Sequence, residues 1–266
     1  VDSDRVAIRR AIDALDETLH ATVDLCRSLT PGEWRRPTAC PGWTVHDQVA
    51  HLAGVEARLA GRPPLDARPL PPLAHVTSDT DREVEADVHA RRRVPDHELL
   101  DELAEVVDAH LALLRTAPPD PADRLPFLGG RLLPARVALS IRVLDAWTHG
   151  EDIRLAVGAP ADDASLAAGV TAEQFLRGFA GVVERAAPGS SALVLLELTG
   201  PFAATEVVAL DTEPTASPTV RLTMSLTTFC RRSAGRIDAP AAEATSTVHG
   251  DRALARRVLE AMVQTP

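Results

Sequence analysis

The 266-residue chain has no lysine, no tyrosine and no asparagine, so all 28 of its basic side chains other than histidine are arginine. Without lysine there is no Schiff-base nucleophile, no anchor for pyridoxal phosphate and no phosphate-gripping residue of a P-loop; without tyrosine there is no phenolic general acid. Aromatic residues make up only 3% of the chain and the formal net charge is -10, which argues against a nucleic-acid surface, since that needs clustered cations and stacking rings. Long apolar runs are missing as well. Ala192-Leu193-Val194-Leu195-Leu196 is far too short to cross a bilayer, and the start, Val1-Asp2-Ser3-Asp4-Arg5, has no signal-peptide core, so the expectation is a soluble, cytoplasmic protein. The three cysteines, Cys26, Cys40 and Cys230, are widely spaced and odd in number, which fits neither a disulfide framework nor a Cys-x-x-Cys metal site. Gly-x-Ser-x-Gly, His-Glu-x-x-His and Gly-x-Gly-x-x-Gly are absent, and the enzyme families built on them drop out.

What is present is helical periodicity for the first 160 residues and a mixed pattern after that. Val6, Ile8, Ile12, Leu15, Leu19 and Val23 predict a core helix over 4–29, stopped by Thr30-Pro31-Gly32. Thr44 with Asp47 three residues on forms a capping pair for a second helix from Val45 to Ala60. Gly61 to Pro72, rich in Pro and Arg, reads as a connection. Helices follow over 79–92 and from a cap at Asp96 to Leu114, then a turn-rich stretch over 117–131, then a long helix from Pro134 to just before Gly158. Beyond Pro160 the pattern predicts one helix over 165–186, strands over 192–198, 205–210, 219–224 and 245–248, and helices over 226–233 and 252–263, the last capped at Gly250-Asp251. The expected organisation is multi-domain: an all-α bundle over 1–160 and a smaller α+β domain over 161–266.

The chemistry concentrates in Leu144-Asp145-Ala146-Trp147-Thr148-His149-Gly150-Glu151-Asp152-Ile153. Asp145, His149 and Asp152 fall on one polar stripe of a helix, and a carboxylate and an imidazole one turn apart can chelate a cation. Taken alone, the pair reads first as an ordinary charged helix surface. A second stretch, Cys40-Pro41-Gly42-Trp43-Thr44-Val45-His46-Asp47-Gln48-Val49-Ala50-His51-Leu52, sets His51 among apolar residues as a possible third ligand. Asp47, one turn before His51, either orients that imidazole or serves only as a cap. His110, single on an apolar face, reads as a packed, hydrogen-bonded residue rather than a ligand. Cys40 lies just before the His51 helix but has no clearly spaced base, so a structural role is expected for it.

These two motifs, in this order and at this separation, resemble the mycothiol-dependent maleylpyruvate isomerase family. The resemblance implies a DinB-like four-helix bundle as first domain, with the family's second domain after it, and a divalent metal, normally zinc, held by His51, Asp145 and His149. The usual residue of that family at the Asp145 position is Glu, so the reach of this ligand is one methylene shorter. Two His and one carboxylate leave open metal positions, as at a catalytic zinc. The implied cofactor is the thiol mycothiol, whose thiolate adds to the cis double bond of a maleylpyruvate-like substrate, permits rotation, and leaves to give the trans product. A mycothiol S-transferase acting on another electrophile would share this site, and a DinB-like binding protein without turnover is the reading from another class. The isomerase substrate is a dianion, for which Arg231, Arg232 and Arg236 offer cations, with Arg236 preferred as the catalytic residue because it follows Gly235 at a helix terminus; a solvated basic helix end is the plain alternative. The Ala, Arg, Pro and Gly bias matches a GC-rich coding sequence, as in the actinobacteria that make mycothiol.

Overall fold

The computed structural model describes residues 2–63, 65, 70–213 and 217–265, so part of the Gly61 to Pro72 connection lies outside the described residues. The chain divides into two compact units, Val1–Ala161 and Asp162–Pro266. Among the described residues no helix is long and apolar enough to cross a membrane.

The first unit is a helical bundle. Its elements are α1 (Asp2–Arg27), the single turn α2 (Pro31–Trp34), α3 (Val45–Leu59), α4 (Asp79–Arg91), α5 (Asp96–Thr116), a hairpin of β1 (Arg124–Phe127) and β2 (Arg131–Pro134), and α6 (Ala135–Val157). Going round the bundle the order is α1, α6, α3, α5, with α4 laid against α3. The apolar stripes predicted from the sequence supply the core: Ile8, Leu15 and Leu19 of α1, Leu52 of α3, Leu99, Leu103 and Leu111 of α5, and Trp147 and Ile153 of α6 are almost wholly buried. Each such side chain contributes on the order of 1.5–3 kcal/mol relative to exposure. Gly150 lets α6 come close to α1, because a Cβ there would stand 2.8 Å from the hydroxyl oxygen of Thr22. This close approach occurs at the residue immediately after His149.

Both helices that carry the candidate ligands have well-defined ends. At the start of α3 the Thr44 hydroxyl accepts from the Asp47 N–H, and the Thr44 N–H donates back to Asp47 Oδ2 at 2.9 Å, the expected capping box. Helix α6 ends at Gly158, which adopts the left-handed conformation (φ 78°). Two expectations are corrected in this unit. Asp96 is the first helical residue rather than the cap: Pro95 precedes α5 without a side-chain cap, and the Asp96 carboxylate instead accepts from Arg35 at 2.7 Å. The stretch over 117–131 is not only turns, since β1 pairs antiparallel with β2, Phe127 opposite Arg131 and Arg124 opposite Pro134.

In the second unit, α7 (Leu166–Leu176) and α8 (Phe179–Ala186) are followed by β3 (Ala192–Thr199), β4 (Ala204–Leu210), β5 (Val220–Ser225), α9 (Leu226–Ser233), α10 (Ala239–Ala244), β6 (Thr247–Gly250) and α11 (Arg252–Glu260). The sheet order is β4-β3-β5-β6, with β3 parallel to β5 and the outer pairings antiparallel. As an inner strand, β3 is buried on both faces, which accounts for its unbroken apolar run. The single helix expected over 165–186 is two helices broken at Arg177-Gly178, where glycine is among the poorest helix formers. The closing helix stops at Glu260, short of Val263, and its cap is Asp251 as expected. The chain is thus mostly helical, with an α-helical first unit and an α+β second unit.

Candidate metal centre

His51 sits in the middle of α3, and Asp145 and His149 stand one turn apart on α6. The neighbouring packing of α3 and α6 brings the three together across 94 residues of sequence. His51 Nε2 lies 3.2 Å from Asp145 Oδ2, and His149 Nε2 lies 3.4 Å from Asp145 Oδ1. One donor atom from each residue can be chosen so that all lie within 4.8 Å of one another. Bonds of 2.0–2.1 Å to a tetrahedral ion set its donors roughly 3.3 Å apart, so the spacing suits such an ion. Both histidines are buried, whereas the side chain of Asp145 is 32% exposed, and the cluster meets the surface there.

The hydrogen bonding of His149 points the same way. Its Nδ1–H donates to Gln48 Oε1 at 2.5 Å, and Gln48 is itself held by donation from Nε2 to Thr38 Oγ1 at 2.7 Å. With Nδ1 committed to Gln48, Nε2 is the ring atom turned to Asp145: when protonated it pairs with that carboxylate, and when neutral it offers a lone pair beside an anionic oxygen, a pair of donors that a cation would take. Burial alone would raise the pKa of Asp145, but the Arg142 guanidinium beside it and the two histidines hold its carboxyl well below the usual carboxylate range. The donor set is therefore one anion and two imidazoles at mutual distances that a divalent ion fits.

Behind the cluster lies a buried polar chain. Arg142, one turn before Asp145 on α6, donates from its NH1 group to Asp145 Oδ2 in a short contact and from Nε to Glu56 Oε1 at 2.8 Å. Glu56 is fully buried on α3, and its other oxygen accepts from His110 Nδ1 at 2.5 Å. Burial pushes the Glu56 carboxyl up, and Arg142 and His110 more than offset that, leaving it below its ordinary value. His110 is thus the packed, hydrogen-bonded residue expected. Trp43 walls the other side: its ring centroid lies 5.2 Å from that of His51 and 5.7 Å from that of His149, and its indole N–H donates to Glu85 Oε2 at 2.9 Å.

Asp47 does not orient His51. Its carboxylate serves the α3 cap and accepts from Arg92 Nε at 2.9 Å, while His51 Nδ1 has no hydrogen-bond partner among the described residues. Cys40 is half-buried and outside the ligand cluster, and its backbone N–H donates to Thr38 Oγ1. Cys26 is buried, and burial pushes its thiol up to about 12, which removes it as a neutral-pH nucleophile. In the second unit, Arg232 is spent on the chain itself, donating to the carbonyls of Leu259, Ile237 and Glu260. Arg236 follows a Schellman turn in which the N–H of Arg236 reaches the Arg231 carbonyl at 2.8 Å and Gly235 takes φ 70°; its guanidinium donates to the Ala234 carbonyl at 2.9 Å.

Sequence reasoning missed Gln48, Glu56 and Arg142 as supporting groups. The available signal was spacing: Gln48 precedes His51 by three and Arg142 precedes Asp145 by three, which places each on the ligand face of its helix.

Fold and site together define a class, a helical bundle built around a His-Asp-His cluster shared by two of its helices. The family model described as the mycothiol maleylpyruvate isomerase N-terminal domain matches residues 15–154, more than half of the chain, and the chain belongs to that family. Two solved structures are similar in fold over 93% of this chain and 92% of theirs: a mycothiol-dependent maleylpyruvate isomerase at 18% identity and a TM-score of 0.55, and a histidine-to-alanine mutant of a mycothiol-dependent maleylpyruvate isomerase at 17% and 0.53. No curated protein matches the chain.

Proposed function

We propose that this protein is a metal- and mycothiol-dependent enzyme that isomerises a maleylpyruvate-like cis-unsaturated acid, with zinc held by His51, Asp145 and His149. The observation that carries the reading is the gathered triad with its open edge at Asp145, in a chain of this family. A metal bound there would favour the thiolate form of a coordinated thiol at neutral pH, where a free thiol with a pKa of about 8.5 stays mostly protonated. Gln48 supports this by holding His149 through Nδ1, so that Nε2 is the atom turned toward Asp145 and the ion. Trp43 contributes an apolar wall over both imidazoles, which limits access of water to the ligand atoms. Arg236 is assigned the substrate carboxylate, since a guanidinium can grip it with two parallel hydrogen bonds.

The test separates the products by liquid chromatography, with mass detection and proton NMR to read the double-bond geometry, after the zinc-loaded protein meets mycothiol and maleylpyruvate. The expected product has the substrate's mass and the trans geometry, with mycothiol returned unchanged. A stable mass adduct of thiol and electrophile would instead mark an S-transferase, and no product with any electrophile would favour a binding protein. Cys40→Ser is expected to keep substantial turnover, because the reacting sulfur comes from the cofactor; a variant that binds metal and thiol normally yet is inactive would shift the argument to a protein thiol.

A further inference from the structure

Helices α3 and α6 are tied together on both sides of the metal centre. On one side Gln48 of α3 meets His149 of α6; on the other Glu56 of α3 meets Arg142 of α6. The second tie goes beyond joining the helices, because the same guanidinium also reaches a candidate ligand. Nε is committed to Glu56 and NH1 to Asp145, so the planar fork is held at two edges and leaves the Asp145 carboxylate little freedom to turn. Glu56 is in turn fixed by His110, so the line His110, Glu56, Arg142, Asp145 runs from α5 through α3 to α6. An aspartate has fewer rotatable bonds than a glutamate and a shorter reach, so its oxygen meets an ion only if backbone and carboxylate are aimed.

We infer that Arg142, anchored by Glu56, is a positioning residue that aims the Asp145 carboxylate into the metal centre; this rests on the metal-centre reading above. Charge alone predicts the opposite effect of removing it. A guanidinium beside a dication repels it, so deletion of its charge tightens metal binding, whereas loss of aim weakens it.

The test measures zinc affinity by competition with a chromophoric chelator for the unmodified protein, Arg142→Lys, and Arg142→Lys with Asp145→Glu, with the thermal midpoint of each metal-free protein beside it. Lysine keeps the positive charge and loses the fork. Arg142→Lys is expected to weaken zinc binding by about 10–100-fold, the range typical of lost partners of metal ligands. Adding Asp145→Glu is expected to recover at least about tenfold of that loss, because a longer ligand needs less aiming. If Arg142→Lys does not fold, the double variant Glu56→Gln with Arg142→Gln removes the hold without leaving a buried unpaired charge, and the same loss and the same rescue by Asp145→Glu are expected. Unchanged or tighter binding, or a loss that Asp145→Glu does not repair, would overturn the positioning role while leaving the metal centre standing. Failure of the unmodified protein to bind zinc would remove the metal centre and this role with it.

Discussion

Replacing either His51 or His149 with alanine is expected to reduce bound metal from about one ion per chain to almost none. The two imidazoles flank a single carboxylate at 3.2 and 3.4 Å, so either substitution leaves one nitrogen and one carboxylate, too few protein donors to compete with water and buffer. Elemental analysis of zinc-loaded, desalted protein reads the outcome directly. The His149 variant also frees Gln48 Oε1, but that amide keeps its bond to Thr38, so the local backbone has a reason to stay in place. Full retention of metal in both variants would dissolve the proposed centre.

The second large effect concerns the thiol. Turnover is expected to vanish without an added low-molecular-weight thiol and, with mycothiol present, to persist well below the free thiol pKa of about 8.5, since metal coordination favours the thiolate. Asp145 does not limit this range, because its carboxyl is held well below its ordinary value and stays ionised throughout it. The chain has no lysine or tyrosine to take over covalent or acid-base work, and Cys26 is too strongly disfavoured as a thiolate. Rates measured against pH with mycothiol, with another thiol and with none decide the matter. Undiminished turnover without thiol would sink the isomerase and transferase readings together and favour a metal-activated water, hence a hydrolase.

Much of this architecture was legible in the residues because long periodic segments state their own faces. The apolar stripe of α1, the capping box before α3 and the αL glycine after α6 are local signals, and the structure follows them closely. Helix α9 spans the expected residues for the same reason, with Ser225 as its cap. The hairpin of β1 and β2 escaped because its strands are four residues long, contain Pro126 and Pro134, and turn through Gly129 and Gly130, a composition that reads as irregular. The six-residue α10, started by the Asp238 cap, is too short to show a period. His51, Asp145 and His149 could be singled out because their motifs are compact in sequence. Glu56 could not, and Arg142 had only its spacing from Asp145 to mark it: a charged residue on an amphipathic helix ordinarily faces water, and the meeting of α3 with α6 explains why both are buried.

The long separation between His51 and the Asp145-His149 pair has a thermodynamic meaning. Between them in the chain lie α4, α5 and the hairpin, so the donors assemble only when the bundle is formed, and an extended chain offers at most the Asp145-His149 couple. An ion that needs all three recognises the folded state alone, and by mass action it would stabilise that state by about 2.7 kcal/mol when present at a hundred times its dissociation constant. Metal supply and folding of the first unit would then be one coupled equilibrium: starvation for the ion would not merely idle the protein but would raise the share of chains that are unfolded.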